Sequence, residues 1–190
     1  MDRLELLKDI ICKNDKVTKI LKRLEELNLP EHYISGPSVL ELAWNYLDNK
    51  DLMYGIDVID FVYCDKENTT DKGEEEIKSL LKKEFDYLGI EFNVVNVART
   101  YFEDKKKMDI DSCELNLKEA INLYPVIAKA IGIRSKNGEI EIYAPYGLDD
   151  VFNKILRPNK AVEDSDKYYN CVNNLIAKWT DLVIIPWDNI

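Results

Sequence analysis

The sequence predicts an α+β (mixed α/β) fold in which a small mixed β-sheet is flanked by helices. Three observations carry this. Amphipathic helical stripes recur along the chain, two segments rich in β-branched and aromatic residues stand between them, and an Asn137-Gly138 pair marks a hairpin. The chain has 190 residues, 46% hydrophobic and 33% charged, with no repeat and no Gly/Ser-rich linker. It therefore reads as one unit over residues 1–190, with an N-terminal helical pair at about 1–28.

The elements follow in order. Leu4, Leu7, Ile10 and Ile11 share one helical stripe, and Val17, Ile20, Leu21, Leu24 and Leu27 form a second that stops before Pro30. HYISGPS is a turn-rich segment, after which Val39, Leu42, Ala43, Tyr46 and Leu47 define another amphipathic helix. IDVIDFVYC at 56–64 reads as a strand, residues 72–88 as a charged helix, and IEFNVVNVA at 90–98 as a second strand. Pro125 divides 115–131 into two short helices. The hairpin follows, then helices at 148–156 and about 164–179, and DLVIIPW as a short final strand.

Composition narrows the function. Asp plus Glu number 36 against 26 Lys plus Arg, giving a formal net charge of −10. That argues against general nucleic-acid binding, which needs a basic face, but leaves room for a nucleotide. The four cysteines, at 12, 64, 113 and 171, form no C-x-x-C pair and are expected to be reduced and mostly buried. The first residues interleave charge with apolar side chains, unlike a signal peptide, and no window approaches the roughly 20 apolar residues of a membrane span. The expectation is a cytoplasmic protein with no membrane partner, its oligomeric state open.

Residues 35–65 are the informative stretch: a small-residue turn, a helix, then a strand bearing carboxylates. A turn of small residues lets backbone N–H groups approach a triphosphate. Carboxylates at i and i+2 of a strand share a face and can grip divalent ions. This is the layout that nucleotidyl transfer uses.

On SGPSVLELAWNYL, YGIDVIDFVYCD, FNVVNVAR, EAINLYPVIAKAIGIR, EIYAPYGLDDVFNKILRPN and Lys178-Trp179, the chain resembles the bacterial nucleotidyltransferase-like family, a branch of the polymerase-beta-type superfamily. The pieces span about residues 28–187 in the family's order, and APYGLDD followed by LRPN is the most specific. The resemblance implies a nucleotidyltransferase-like fold, a nucleoside triphosphate substrate, an unknown acceptor, and Mg²⁺ or Mn²⁺ as cofactor.

It also implies a site, and the chain departs from the pattern at three points. Tyr63 and Asp65 set the register of the family's Asp-x-Asp so that its positions fall on Val58 and Asp60. Asp60 is then a catalytic metal ligand, and Asp57 or Glu91 has to supply the second carboxylate. Strand alternation points Asp57 away from Asp60 unless a β-bulge near Val58 turns it back. Pro37 stands where a Gly is expected and lacks an N–H, and Asn93 stands where an acidic residue is expected. Ser35, Gly36 and Ser38 are the implied phosphate contacts, with Asn96 and Arg99 completing nucleotide binding.

For Arg99 a structural ion pair is the other role. Asp149 and Asp150 read as helix-capping residues, Arg157 as a packing or capping residue, and His32 as a half-exposed loop histidine rather than a general base. Trp44, Trp179 and Trp187 read as core aromatics, and Lys105-Lys106-Lys107 as a solvated loop. Two functions stay open: a nucleotidyltransferase of impaired or altered activity, and a non-catalytic binding or interaction protein that keeps the fold.

Overall fold

The structure, a computed structural model, describes residues 2–100 and 117–189. Helices α1 (Arg3–Cys12) and α2 (Asp15–Glu26) form where their apolar stripes place them. Asn14 separates them, its side chain accepting from the amides of Lys16 (3.1 Å) and Val17 (3.2 Å). Leu7 and Ile11 of α1, and Val17, Ile20, Leu21 and Leu24 of α2, enter the main core beneath the sheet. The N-terminal pair is thus packed onto the rest of the described chain. Truncating any of these buried Leu or Ile side chains to Ala would cost about 2–5 kcal/mol.

The segment expected to be a turn holds a strand instead. His32–Ser35 (β1) is the centre of a five-stranded sheet ordered β3-β2-β1-β4-β5. All four residues are buried. A short strand covered on both faces shows no polar/apolar alternation, so its sequence carries no period to read. The turn proper begins at Gly36, whose φ of 71° needs a residue without a side chain. His32 is therefore a core residue, its ring 5.9 Å from that of Phe61. Burial first, and the nearby Arg134 charge second, push its pKa down.

From Gly36 the chain enters α3 (Pro37–Leu47), buried continuously from Ser38 to Asn45. Strand β2 (Val58–Tyr63), helix α4 (Asp71–Phe85) and strand β3 (Glu91–Asn96) follow as a β-α-β unit. β2 and β3 are parallel, with Val58 opposite Glu91, Asp60 opposite Asn93 and Tyr63 opposite Asn96. Ile59, Phe61 and Tyr63 join the core with Phe92 and Val94, so the alternate residues Val58, Asp60, Glu91 and Asn93 share the other face. β1 runs antiparallel to β2, with Ser35 opposite Asp60.

Helix α5 (Leu117–Asn122) and a 3₁₀ turn at Ile127–Lys129 occupy the region where two short helices are expected. The hairpin is β4 (Gly132–Lys136) and β5 (Glu139–Tyr143), turning at Asn137 and Gly138, both with positive φ. The helix expected at 148–156 is shorter. It spans Asp149–Phe152 (α6) and ends as Lys154 adopts φ 53°. Ile155–Leu156 (β6) then pairs in parallel with Val183–Ile184 (β7). Between them runs α7 (Ser165–Ile176), capped by Asp164, which accepts from the Lys167 amide at 2.9 Å.

Trp44 and Trp179 are fully buried, and both indoles have partners: Trp44 Nε1 donates to the Val151 carbonyl and Trp179 Nε1 to Asn45 Oδ1. Trp187 is only partly buried against this core. Asp149 and Asp150 make no capping hydrogen bond. Asp150 binds Arg157 at 2.9 Å, and Asp149 pairs with Arg3. Of the described cysteines only Cys64 is buried; Cys12 is exposed and Cys171 intermediate, and all three are free thiols. Cys113 and the Lys105–Lys107 run lie outside the described residues. Among the described residues no helix is long and apolar enough to cross a membrane.

Candidate functional site

A cleft of about 430 Å³ opens where β2 begins, lined among others by Pro37, Glu41, Asp57, Val58, Asp60, Lys129, Cys171 and Lys178. Four separate parts of the chain build it: the first turns of α3, the start of β2, the turn before β4, and the end of α7. Asp57 and Asp60 both reach it. No bulge is needed, because the β2–β3 register runs unbroken from Val58 to Tyr63 and Asp57 precedes it.

The two carboxylates already have partners. Asn93 Nδ2 donates to Asp60 Oδ1 at 2.7 Å, and Lys178 Nζ donates to Asp57 Oδ2 at 2.5 Å and to the Gly55 carbonyl at 2.7 Å. Burial raises the Asp60 pKa, opposed by the Asn93 hydrogen bond and the Lys129 charge. Val58 stands two residues before Asp60 on the same strand face. It is 43% exposed and lines the cleft rather than packing away from it.

The phosphate contacts expected at the turn are mostly engaged. Ser35 is buried, with its hydroxyl 2.9 Å from the Tyr124 hydroxyl. The Gly36 N–H donates to the Ile131 carbonyl at 3.0 Å. The Tyr124 ring lies so close over Gly36 that a side-chain carbon there would meet it at 2.7 Å. Ser38 differs: its hydroxyl is buried with no hydrogen-bond partner.

Three predicted site residues lie elsewhere. Glu91 pairs with Lys82 at 2.8 Å on the outer face of β3 and is not part of the cleft lining. Asn96 and Arg99 sit at the opposite end of the β2–β3 pair. There the Asn96 side chain accepts from the amides of Asp65 and Ala98 and donates to the carbonyls of Asp65 and Asn68. Glu74 accepts from the Asn96 backbone amide (2.7 Å) and from Arg99 Nε (3.0 Å) and Arg99 Nη2 (2.7 Å). Arg99 takes the structural ion pair.

The reading of the sequence missed Glu41 and Lys129. Glu41 is 8% exposed, and burial drives its pKa up to about 7 against the Lys178 and Lys129 charges, with Asp57 and Asp60 pushing the same way as burial. Lys129 is also 8% exposed, its ammonium 3.5 Å from Cys171 Sγ. Each is the sole charge in an apolar run, VLELA and VIAKAIGI, and that isolation was the available signal.

The divalent ion implied by the resemblance can be tested against this donor set. Among the described residues no three His, Cys, Asp or Glu side chains group to hold a metal ion. Valine occupies one implied ligand position, a neutral amide another, and an ammonium holds Asp57. These residues do not fit a two-ion site.

A β-α-β unit with the half-buried Asp60 near the start of its first strand, beside a glycine turn leading into a helix, is the arrangement of a nucleotidyltransferase fold. The comparisons agree. The sequence profile of the nucleotidyltransferase family matches residues 22–184, and the chain belongs to that family. A solved structure described as an NMR structure revealing a CCA-adding enzyme head domain superposes with a TM-score of 0.73. It is 21% identical and covers 95% of this chain and 94% of its own, a likeness of fold. No curated protein matches the sequence.

Proposed function

We propose that the cleft binds a nucleoside triphosphate, and that transfer of its nucleotidyl group to an acceptor is impaired. The observation that carries this reading is Val58, an apolar side chain facing the cleft two residues before Asp60. Positioning and charge stabilisation supply almost all the catalysis of phosphoryl transfer, so a missing carboxylate costs orders of magnitude in rate. Binding asks for less. Pro37 has no N–H and the Gly36 amide is taken, so the positive groups that line the cleft are the ammonium groups of Lys129 and Lys178.

Thermal unfolding with each of the four nucleoside triphosphates, with and without Mn²⁺, tests the reading. A ligand at about 100 times its Kd adds about 2.7 kcal/mol of stability, enough to shift the melting temperature visibly. A shift with at least one nucleotide is the expected result. No shift with any of them retires the nucleotide and leaves the second reading, a non-catalytic interaction protein. The ion pair from Lys178 to Asp57 favours that alternative, because it fills the cleft with a contact of the protein's own.

A further inference from the structure

The cleft holds an ammonium group that makes no ion pair with a carboxylate among the described residues. Lys129 is more than nine-tenths buried, and its hydrogen bond among the described residues is to the Cys171 thiol, Sγ at 3.5 Å. No carboxylate among the described residues makes an ion pair with it, whereas Lys178 has Asp57. A buried charge without a counter-ion is costly, and proteins keep one where a ligand supplies the partner. Glu41 and Asp60 feel the Lys129 charge across the cleft without touching it.

The backbone aims this ammonium. Lys129 closes a 3₁₀ turn whose Ile127 amide donates to the Arg157 carbonyl (2.9 Å), and the Lys129 carbonyl accepts from the Ile131 amide (2.8 Å). Ile131 in turn accepts from the Gly36 amide (3.0 Å). The turn carrying Lys129 is thus tied to the residue that starts α3, and Lys129 and Pro37 line one cleft. An ammonium has three donors: Lys129 spends one on the thiol, and Lys178 spends two on Asp57 and Gly55. Three remain for a ligand.

We infer that the phosphate chain of the bound nucleotide sits directly on the Lys129 ammonium, with Lys178 as the second cation, and that this contact takes the place of a bridging divalent ion. The inference rests on the nucleotide reading above and deepens it. It follows from the donor set: where the resemblance implies carboxylates holding a metal against the phosphates, this chain has Val58 and Asn93, and it brings fixed positive charge to the same cleft.

The experiment is titration of the full chain with ATP, GTP, CTP and UTP, once in EDTA and once in Mn²⁺, on the natural protein, Lys129→Met and Lys178→Met. The expected result is binding in EDTA no weaker than in Mn²⁺. Lys129→Met should lose at least about tenfold in affinity, the worth of one charge-assisted hydrogen bond. Lys178→Met should lose less, since Lys178 already spends two donors. Binding that appears only with Mn²⁺, or that is unchanged in Lys129→Met, overturns the inference while nucleotide binding stands. Absence of binding in both buffers overturns both. The EDTA and Mn²⁺ arms on the natural protein need no variant to fold.

Discussion

The two ends of the β2–β3 pair both bury polar side chains, and they treat them differently. At the end marked by Tyr63 and Asn96, every hydrogen-bonding atom of the Asn96 amide is used, and Glu74 joins the Asn96 backbone to Arg99 through three hydrogen bonds. At the end marked by Val58 and Asp60, the Ser38 hydroxyl has no partner, Lys129 has among the described residues a thiol for its hydrogen bond, and the Glu41 pKa is driven to about 7. A saturated network holds the loop after β2 in place. A set of buried polar groups left unsatisfied costs stability, and it is retained where a ligand completes it.

Substitutions sharpen this contrast. The largest effect on stability is expected from Glu74→Ala, which removes at once the hydrogen bonds from Glu74 to the Arg99 guanidinium and to the Asn96 backbone amide. Loss of about 3–5 kcal/mol is expected from urea unfolding, with nucleotide affinity of the folded fraction unchanged. An unchanged stability would mean that the Glu74 network does not hold the fold.

Glu41→Gln comes next and acts with the opposite sign. In the folded protein the Glu41 carboxyl keeps its proton up to about pH 7, whereas in the unfolded chain it ionises near 4.5. Its contribution is therefore complete below pH 4.5 and declines as pH rises to 7. The difference between natural protein and Glu41→Gln should change by roughly 3 kcal/mol between pH 4.5 and pH 8. A pH-independent difference would show that Glu41 is not held in a desolvated site.

Val58→Asp is expected to move stability least, within about 0.5 kcal/mol, because the side chain is on an exposed strand position. Its readout is the effect of Mn²⁺. The variant should gain a Mn²⁺-dependent rise in melting temperature that the natural protein lacks. If the two behave alike, the missing carboxylate is not what separates this cleft from a metal site.

The residues themselves show what could be read without coordinates. The stripes of α1, α2 and α3 and the β-rich runs of β2 and β3 are local patterns, because helix and strand periods are written in neighbouring side chains. The family motif and the valine at the expected ligand position were equally legible, since both are matters of order along the chain. β1 escaped because four residues buried on both faces have no period. Asn96 and Arg99 were placed on the nucleotide by their motif, yet Glu74, more than 20 residues earlier in the chain, holds them.

What the sequence alone determined was the class of fold, the family and the presence of a valine where the resemblance implies a carboxylate. The tertiary structure alone decided that Glu41, Asp60, Lys129 and Lys178, from four separate parts of the chain, face one cleft. It also decided that, among the described residues, no carboxylate pairs with Lys129 there. Convergence of distant side chains depends on strand register and helix packing, and neither is encoded in the spacing of residues along the chain.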